Sequence, residues 1–166
     1  MTKHVEHVKH EFGPFYDKNS KVLILGTIPS PKSREMGFYY GHPRNRFWMI
    51  MSELLGEPFP NDVRTRRAMM RKHGIALWDV LASCSISGAE DASIRDGIPN
   101  DMNVILQEAD IKAVFTTGKK AQKLYEKLCY PKCGAVSICL PSTSPANCAC
   151  SYEKLKEAYS VILEYI

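Results

Sequence analysis

Four short, mostly apolar runs separated by helical patterns limit the folds available to this chain more than any other feature. They comprise residues 22–25, 75–78, 113–116 and 136–140. Short runs of this kind are typical of strands buried on both faces of a parallel sheet. Because helical segments separate the runs, each connection can cross over the sheet to the next parallel strand. The pattern predicts a three-layer α/β/α fold with a central, mostly parallel four-stranded sheet.

The length of 166 residues is that of one domain. We expect residues 1–20 to form a polar N-terminal arm and residues 21–166 to form a single α/β domain. The arm contains His4, His7 and His10. These histidines fit a solvated arm or a first helical turn better than a metal site.

Composition and charge set limits on partners and compartment. The chain is 45% hydrophobic and 24% charged, with a formal charge of +4, which permits a polyanionic partner without requiring one. No apolar run approaches membrane-spanning length and the first residues lack a signal-peptide core, so a cytoplasmic, nucleoid-associated protein is expected. The six cysteines are expected to be reduced thiols. The pairs Cys129/Cys133 and Cys148/Cys150 lack zinc-finger spacing.

The first apolar run leads into residues 26–48, the strongest candidate for a ligand site. Gly26 ends the predicted strand, and a polar loop with two adjacent tyrosines follows. We predict a helix that begins at Pro43 and ends at Gly56, with Asn45 in its first turn. In open α/β sheets, ligands bind in the crevice at the carboxyl ends of the strands, where this loop would lie.

Two segments in the middle of the chain leave alternatives open. A helix is predicted from a cap at Asn61-Asp62 to Gly74, and its basic face is either solvated or in contact with phosphates. Residues 83–99 are predicted to be a long irregular loop, and Asn100 to cap a further helix. The basic residues of the first helix are Arg64, Arg66, Arg67, Arg71, Lys72 and His73.

The residues expected around the crevice suit a planar ligand that forms hydrogen bonds beside a phosphate, such as a nucleobase in a nucleic acid. Tyr39 or Tyr40 offers a stacking surface, worth about 1–3 kcal/mol per base. A glycine followed by Lys119 at a helix start favours an anion. Taken singly, each of these residues is better explained by ordinary loop packing.

Five motifs together resemble one family. They are GTIPS at residues 26–30, YGHPRNRFW at 40–48, ALWDV at 76–80, GKKA at 118–121 and LPSTSPAN at 140–147. In order and spacing they are similar to the uracil-DNA glycosylase superfamily, and most of all to its hypoxanthine-DNA (deoxyinosine) glycosylase branch. The resemblance covers nearly the whole chain after the N-terminal arm.

The resemblance also implies which residues act on the base. Ile28 stands where the mismatch glycosylase branch has the asparagine that places the attacking water. In the hypoxanthine branch the asparagine of the second motif is the implied replacement, which is Asn45 here. Tyr40 falls at the spacing of the base-stacking aromatic residue, and Thr117 replaces an expected asparagine.

The implied activity is that of a monofunctional glycosylase that flips deoxyinosine, with uracil as a further base, out of double-stranded DNA. Asn45 would position the water or the base. His42 would either donate to the leaving base or order its loop. Main-chain amides around Thr27 and Ile28 would contact the base, while Tyr40 stacks on it. The residues implied to grip phosphates are Ser142, Thr143, Ser144, Arg44 and Lys119.

No metal or organic cofactor is expected, and we expect a monomer. Two alternatives stay open at this point. A non-catalytic lesion- or DNA-binding module with the same fold would account for the isoleucine at position 28. A nucleoside hydrolase acting on small molecules would use a similar set of residues.

Overall fold

The computed structural model describes residues 5–87 and 94–166. In chain order its strands are β1 (Val5–Lys9), β2 (Val22–Gly26), β3 (Ile75–Asp79), β4 (Leu81–Ser87), β5 (Arg95–Pro99), β6 (Ala113–Thr117) and β7 (Ser137–Leu140). The helices are α1 (Pro31–Met36), α2 (Phe47–Leu55), α3 (Val63–Lys72), α4 (Asn103–Leu106), α5 (Lys119–Leu124), α6 (Tyr130–Cys133) and α7 (Tyr152–Tyr159). A π-helical turn, Tyr125–Cys129, joins α5 to α6, and a 3₁₀ turn, Ser160–Glu164, follows α7.

The central sheet is parallel and has the strand order β3-β2-β6-β7. Every residue of β2 and of β3 is buried, as expected for strands covered on both faces. The predicted α/β class and its parallel four-stranded sheet are confirmed, since each of the four apolar runs forms one of these strands. The sheet brings the carboxyl ends of β2, β3 and β6 side by side.

A second sheet, antiparallel and in the order β1-β4-β5, was not predicted. The prediction of an irregular loop over residues 83–99 is wrong where the structure describes it, because β4 and β5 pair there; residues 88–93 lie outside the described part. β5 is hard to recognise in the sequence because it contains Gly97 and Pro99, and both residue types usually interrupt strands. Asp96 adopts a positive φ of 55°, and the register shifts twice along this pair.

The N-terminal segment is also part of this sheet. Val5–Lys9 forms β1 and pairs with all but the first two residues of β4, so the expectation of a free arm or a helical turn is wrong for these residues, although only Val8 among them is buried. Further on, Phe15 and Leu77 exchange two backbone hydrogen bonds of 2.9 Å, which attach the segment to the central sheet. His10 lies between these two attachments, and its side chain is buried in the interior.

Helix ends follow the sequence rules in some places and depart from them in others. Asp62 caps α3 through a capping box with Thr65, and Gly56 ends α2 at a φ of 67°, as predicted. Asn100 does not cap α4. Its side-chain amide instead donates to the main-chain oxygen of Asp79, 2.9 Å away.

The basic face of α3 packs on aromatic rings. The guanidinium group of Arg66 lies 5.1 Å from the ring centre of Trp48. Those of Arg67 and Arg71 lie 5.0 and 5.5 Å from the ring centre of Phe15. Cation–π contacts of this kind account for three of the basic residues, which were expected either in solvent or on phosphates.

Candidate functional site

A cavity of about 340 Å³ opens where β2, β3 and β6 end. Gly26, Asp79 and Thr117, the last residues of these strands, line it. The cavity also collects the sequence-predicted residues Thr27, Ile28, Tyr40, His42, Asn45, Ser142, Thr143 and Ser144. Arg44 and Lys119 are exposed and lie outside this lining.

The loop that leads into α2 is held in shape by side chains that bond to its main chain. Trp48 donates its indole N–H to the carbonyl oxygens of Tyr39 and Tyr40, at 3.2 and 3.1 Å. The amide of Gly41 donates to Ser33 Oγ at 2.9 Å, and a Cβ on Gly41 would lie only 3.1 Å from Ser33 Cα. Tyr40 itself has a φ of 53°, a left-handed conformation that is uncommon for a tyrosine. The strained backbone of Tyr40 thus lies next to the cavity.

Tyr40 forms a flat wall of the cavity. Its ring stacks on Phe47 with 4.0 Å between ring centres and 18° between planes. Phe47 is fully buried and covers one face of Tyr40, so only the opposite face is available to a ligand. Tyr39 is almost fully buried and donates its hydroxyl to Gly13 O. Of the two tyrosines, Tyr40 therefore has the geometry of a stacking platform.

Asn45 and His42 lie in a turn that precedes α2. The helix begins at Phe47, so the prediction that Pro43 is its first residue is wrong. Asn45 Oδ1 accepts from the Phe47 amide at 3.0 Å, and this bond fixes the amide group at the cavity wall. His42 Nδ1 accepts from the Arg44 amide at 3.0 Å. When the ring is neutral, its proton is therefore on Nε2.

The serine-rich segment after β7 forms the opposite rim, and Arg46 fastens it. Its guanidinium group donates to the main-chain oxygens of Cys150 at 2.7 Å, of Asn147 at 2.9 Å and of Ser144 at 3.4 Å. Thr143 is 1% exposed, so its hydroxyl points away from solvent, whereas the neighbouring Ser144 is partly exposed. The sequence analysis did not assign any role to Arg46.

Asp79 is a second residue that the sequence analysis missed. Its Oδ2 lies 2.9 Å from His10 Nε2, and the two side chains are 6% and 4% exposed. Burial raises the pKa of this carboxyl group, and the hydrogen bond from His10 opposes the change. The signal was available, because Asp79 directly follows a buried strand and such positions face the ligand crevice.

Replacing Gly26 with alanine is expected to lower the free energy of unfolding by about 1–3 kcal/mol. The new Cβ would lie 2.5 Å from Asp79 Oδ1, so the carboxyl group or the strand must shift. Thermal or urea unfolding measures the change. Gly13→Ala is the matched control, since a Cβ there meets no atom within 4 Å. Equal stability of the two variants would show that the close approach at Gly26 is not a constraint.

The described residues 5–87 and 94–166 hold no group of three or more histidine, cysteine or acidic side chains placed to bind a metal ion. Among the helices of the same residues, none combines the length and the apolar character needed to cross a bilayer.

The fold and the cavity define an α/β protein with a ligand site at the carboxyl ends of its parallel strands. Residues 14–165 match the family model of the uracil DNA glycosylase superfamily. The chain belongs to this superfamily of DNA glycosylases, as its motifs suggested.

Individual relatives agree with this assignment. A hypoxanthine DNA glycosylase of Methanosarcina acetivorans is 33% identical over 142 residues, covering 84% of this chain and 89% of the relative. One from Methanosarcina barkeri is 34% identical over 115 residues, covering 68% and 73%. A solution NMR structure from Methanosarcina acetivorans, described as a candidate uracil DNA glycosylase, superposes with a TM-score of 0.80 at 30% identity. That match covers 98% of this chain and 99% of the other.

Proposed function

We propose that this protein is a monofunctional DNA glycosylase that hydrolyses the N-glycosidic bond of deoxyinosine in double-stranded DNA, with deoxyuridine as a further substrate. One observation carries the proposal: a single cavity is lined by a platform, an amide, an imidazole and a hydroxyl-rich rim, represented by Tyr40, Asn45, His42 and Ser144. The names of the relatives support hypoxanthine as the base. The protein would act as a monomer in the cytoplasm, on nucleoid DNA.

In the proposed reaction a water oxygen bonds to C1′ of the sugar as the C1′–N bond to the base breaks. The electron pair of that bond leaves with the base, and the released base takes up the proton that the water gives up. Charge in the transition state is divided between an oxocarbenium-like sugar and the departing base, by analogy with O-glycosides. Asn45 holds the water: its Oδ1 is fixed by the Phe47 amide but retains a second lone pair that accepts from the water. Precise placement of the nucleophile is the largest contribution that such a group can make.

The departing base needs a platform and hydrogen-bond donors. The open face of Tyr40 stacks on the base, with Phe47 behind it. His42 donates from Nε2 to the base as negative charge develops there, because its Nδ1 is already used by the Arg44 amide. Main-chain amides around Thr27 contact the base edge from the end of β2.

The rim binds the DNA backbone. Ser142 and Ser144 offer hydroxyl groups to the phosphates on either side of the flipped nucleotide, and the loop between β7 and α7 enters the minor groove. Arg44 and Lys119 are exposed and add positive charge outside the cavity. Thr143 is buried, so its contribution is to the shape of the loop.

The proposal is tested by incubating the purified chain with a duplex that carries one deoxyinosine and then cleaving abasic sites with alkali. Strand scission at the deoxyinosine, with free hypoxanthine in solution, is the expected result. A duplex with adenine at the same position is the control. No scission at stoichiometric protein would refute the enzymatic proposal.

A non-catalytic DNA-binding module is the second candidate, and Ile28 favours it. An isoleucine at the cavity wall cannot orient water, and the only replacement that we propose, Asn45, already accepts from the Phe47 amide through Oδ1. This candidate predicts tight binding of the deoxyinosine duplex without any abasic product. The cleavage assay and an anisotropy titration of the same duplex separate the two functions.

A further inference from the structure

Asp79 places a carboxyl group in the wall of the cavity, and the surrounding chain fixes it there. Asp79 is the register partner of Gly26 at the ends of β3 and β2. Its Oδ1 occupies the space that a side chain on Gly26 would fill, 2.5 Å from the ideal Cβ position. Its main-chain oxygen accepts from Asn100 Nδ2 at 2.9 Å. The glycine thus leaves room for this carboxyl group, and the asparagine holds the main chain of Asp79.

His10 holds the other carboxyl oxygen. Nε2 lies 2.9 Å from Asp79 Oδ2, and the imidazole ring packs on Phe12 and Tyr39 with 4.8 and 5.7 Å between ring centres. His10 precedes residues 14–165, which match the family model. The pair therefore joins a strand end of the family fold to the N-terminal segment of this chain.

The surroundings of the pair determine what else the carboxyl group can bind. A buried carboxylate is unstable unless polar partners replace its water. The titratable groups around Asp79 are His10, Tyr39 and Tyr40. Burial and the nearby carboxyl group raise the pKa of both tyrosines, so they stay neutral, and Tyr39 directs its hydroxyl to Gly13. Asp79 thus faces the cavity with acceptor capacity beyond the bond to His10.

Deaminated bases share one feature that a carboxylate can detect. Deamination of adenine converts ring N1 from an acceptor to an N–H donor, and deamination of cytosine does the same to N3. Resting on the proposed function, we infer that Asp79, oriented by His10, accepts this ring N–H and thereby rejects adenine and cytosine. An ionised carboxylate has only acceptors, so an unprotonated ring nitrogen would face it lone pair to lone pair. Sites built around one hydrogen bond discriminate strongly against a base that lacks it.

The test compares two duplexes, one with deoxyinosine and one with 1-methyldeoxyinosine, in which a methyl group replaces the N1 proton. The natural chain should release the methylated base about a hundredfold more slowly or worse. Asp79→Ala removes the carboxylate and leaves room for the methyl group, so this ratio should fall to about tenfold or less. Equal rates in the natural chain, or an unchanged ratio in Asp79→Ala, would overturn the inference.

Anisotropy titrations measure the affinity of the protein for each of the two duplexes and so compare the two bases without catalysis. If the natural chain cleaves neither duplex, the proposed function fails. The inference fails separately if the affinity for the two duplexes is also equal. Circular dichroism confirms that Asp79→Ala is folded. If Asp79→Ala is unfolded, the test rests on the difference between the two duplexes in the natural chain and on the pH profiles of the His10 variants.

His10 is a positioning residue, and its test is a pH profile. His10→Leu removes the donor that lowers the pKa of Asp79, so the loss of activity on acidification should begin at a higher pH than in the natural chain. His10→Gln keeps an N–H donor and should restore the profile toward that of the natural chain. A profile of His10→Leu that coincides with that of the natural chain would contradict the role of His10.

Discussion

Replacing Asn45 with alanine should lower the rate of hypoxanthine release from duplex DNA by about a hundredfold or more. The side chain of Asn45 lies at the cavity wall and is fixed by its bond to the main-chain amide of Phe47. It can therefore hold a water molecule without a further loss of side-chain entropy during the reaction. Alanine leaves that water free to move. Single-turnover release of the base, followed by alkaline scission, measures the rate.

Two controls separate this effect from loss of the bond to the Phe47 amide. Asn45→Ala removes that bond, which should cost about 1 kcal/mol of folding free energy and leave the protein folded. Asn45→Asp keeps both the acceptor for the Phe47 amide and an acceptor for water but loses the amide donor. Partial activity in Asn45→Asp supports water positioning, whereas inactivity in both variants points to donation to the base. An unchanged rate in Asn45→Ala refutes the assignment altogether.

The central sheet was predictable because each of its strands is a short, mostly apolar run between helical segments. Val22–Gly26 and Ile75–Asp79 are buried throughout, and burial on both faces is what such runs indicate. The antiparallel sheet gives no such signal. Leu81–Ser87 is rich in small polar residues, and β5 contains a glycine and a proline that normally mark loops.

The start of α2 shows how a local rule can mislead. Pro43 fits the first position of a helix, but residues 42–45 form a turn closed by the bond from the Asn45 amide to His42 O. α2 begins at Phe47, whose main-chain amide donates to the side chain of Asn45. Asn45 nevertheless lines the cavity, because its position depends on where β2 ends and not on the residue at which α2 begins.

The pairing of His10 with Asp79 is the part of the cavity that no local pattern could provide. The two residues are separated by 69 positions, and their contact depends on the path of the N-terminal segment between β1 and the bridge at Phe15. A polar residue at the end of β3 was a visible signal for Asp79. No comparable signal existed for His10, since its neighbours in the sequence are polar and fit an exposed arm.

Replacing Arg46 with alanine should weaken binding of the deoxyinosine duplex by about tenfold to a hundredfold. Three main-chain oxygens of the serine-rich rim would lose a charged donor, and such bonds are worth about 1.5–3 kcal/mol each when buried, less here because Arg46 is partly exposed. The rim would then have to become ordered on binding, which lowers affinity. Anisotropy titration of the duplex measures the change.

Arg64→Ala is the matched control, because it removes the same charge from an exposed position on α3. The salt dependence of binding distinguishes the possible roles of Arg46. If Arg46 acts by fastening the rim, its loss leaves the slope of affinity against salt concentration unchanged, whereas loss of a direct phosphate contact reduces that slope by about one. Arg46→Lys should fall between alanine and the natural chain, since an ammonium group cannot reach three oxygens that a planar guanidinium spans. Equal affinity of Arg46→Ala and Arg64→Ala would show that the rim holds its shape without Arg46.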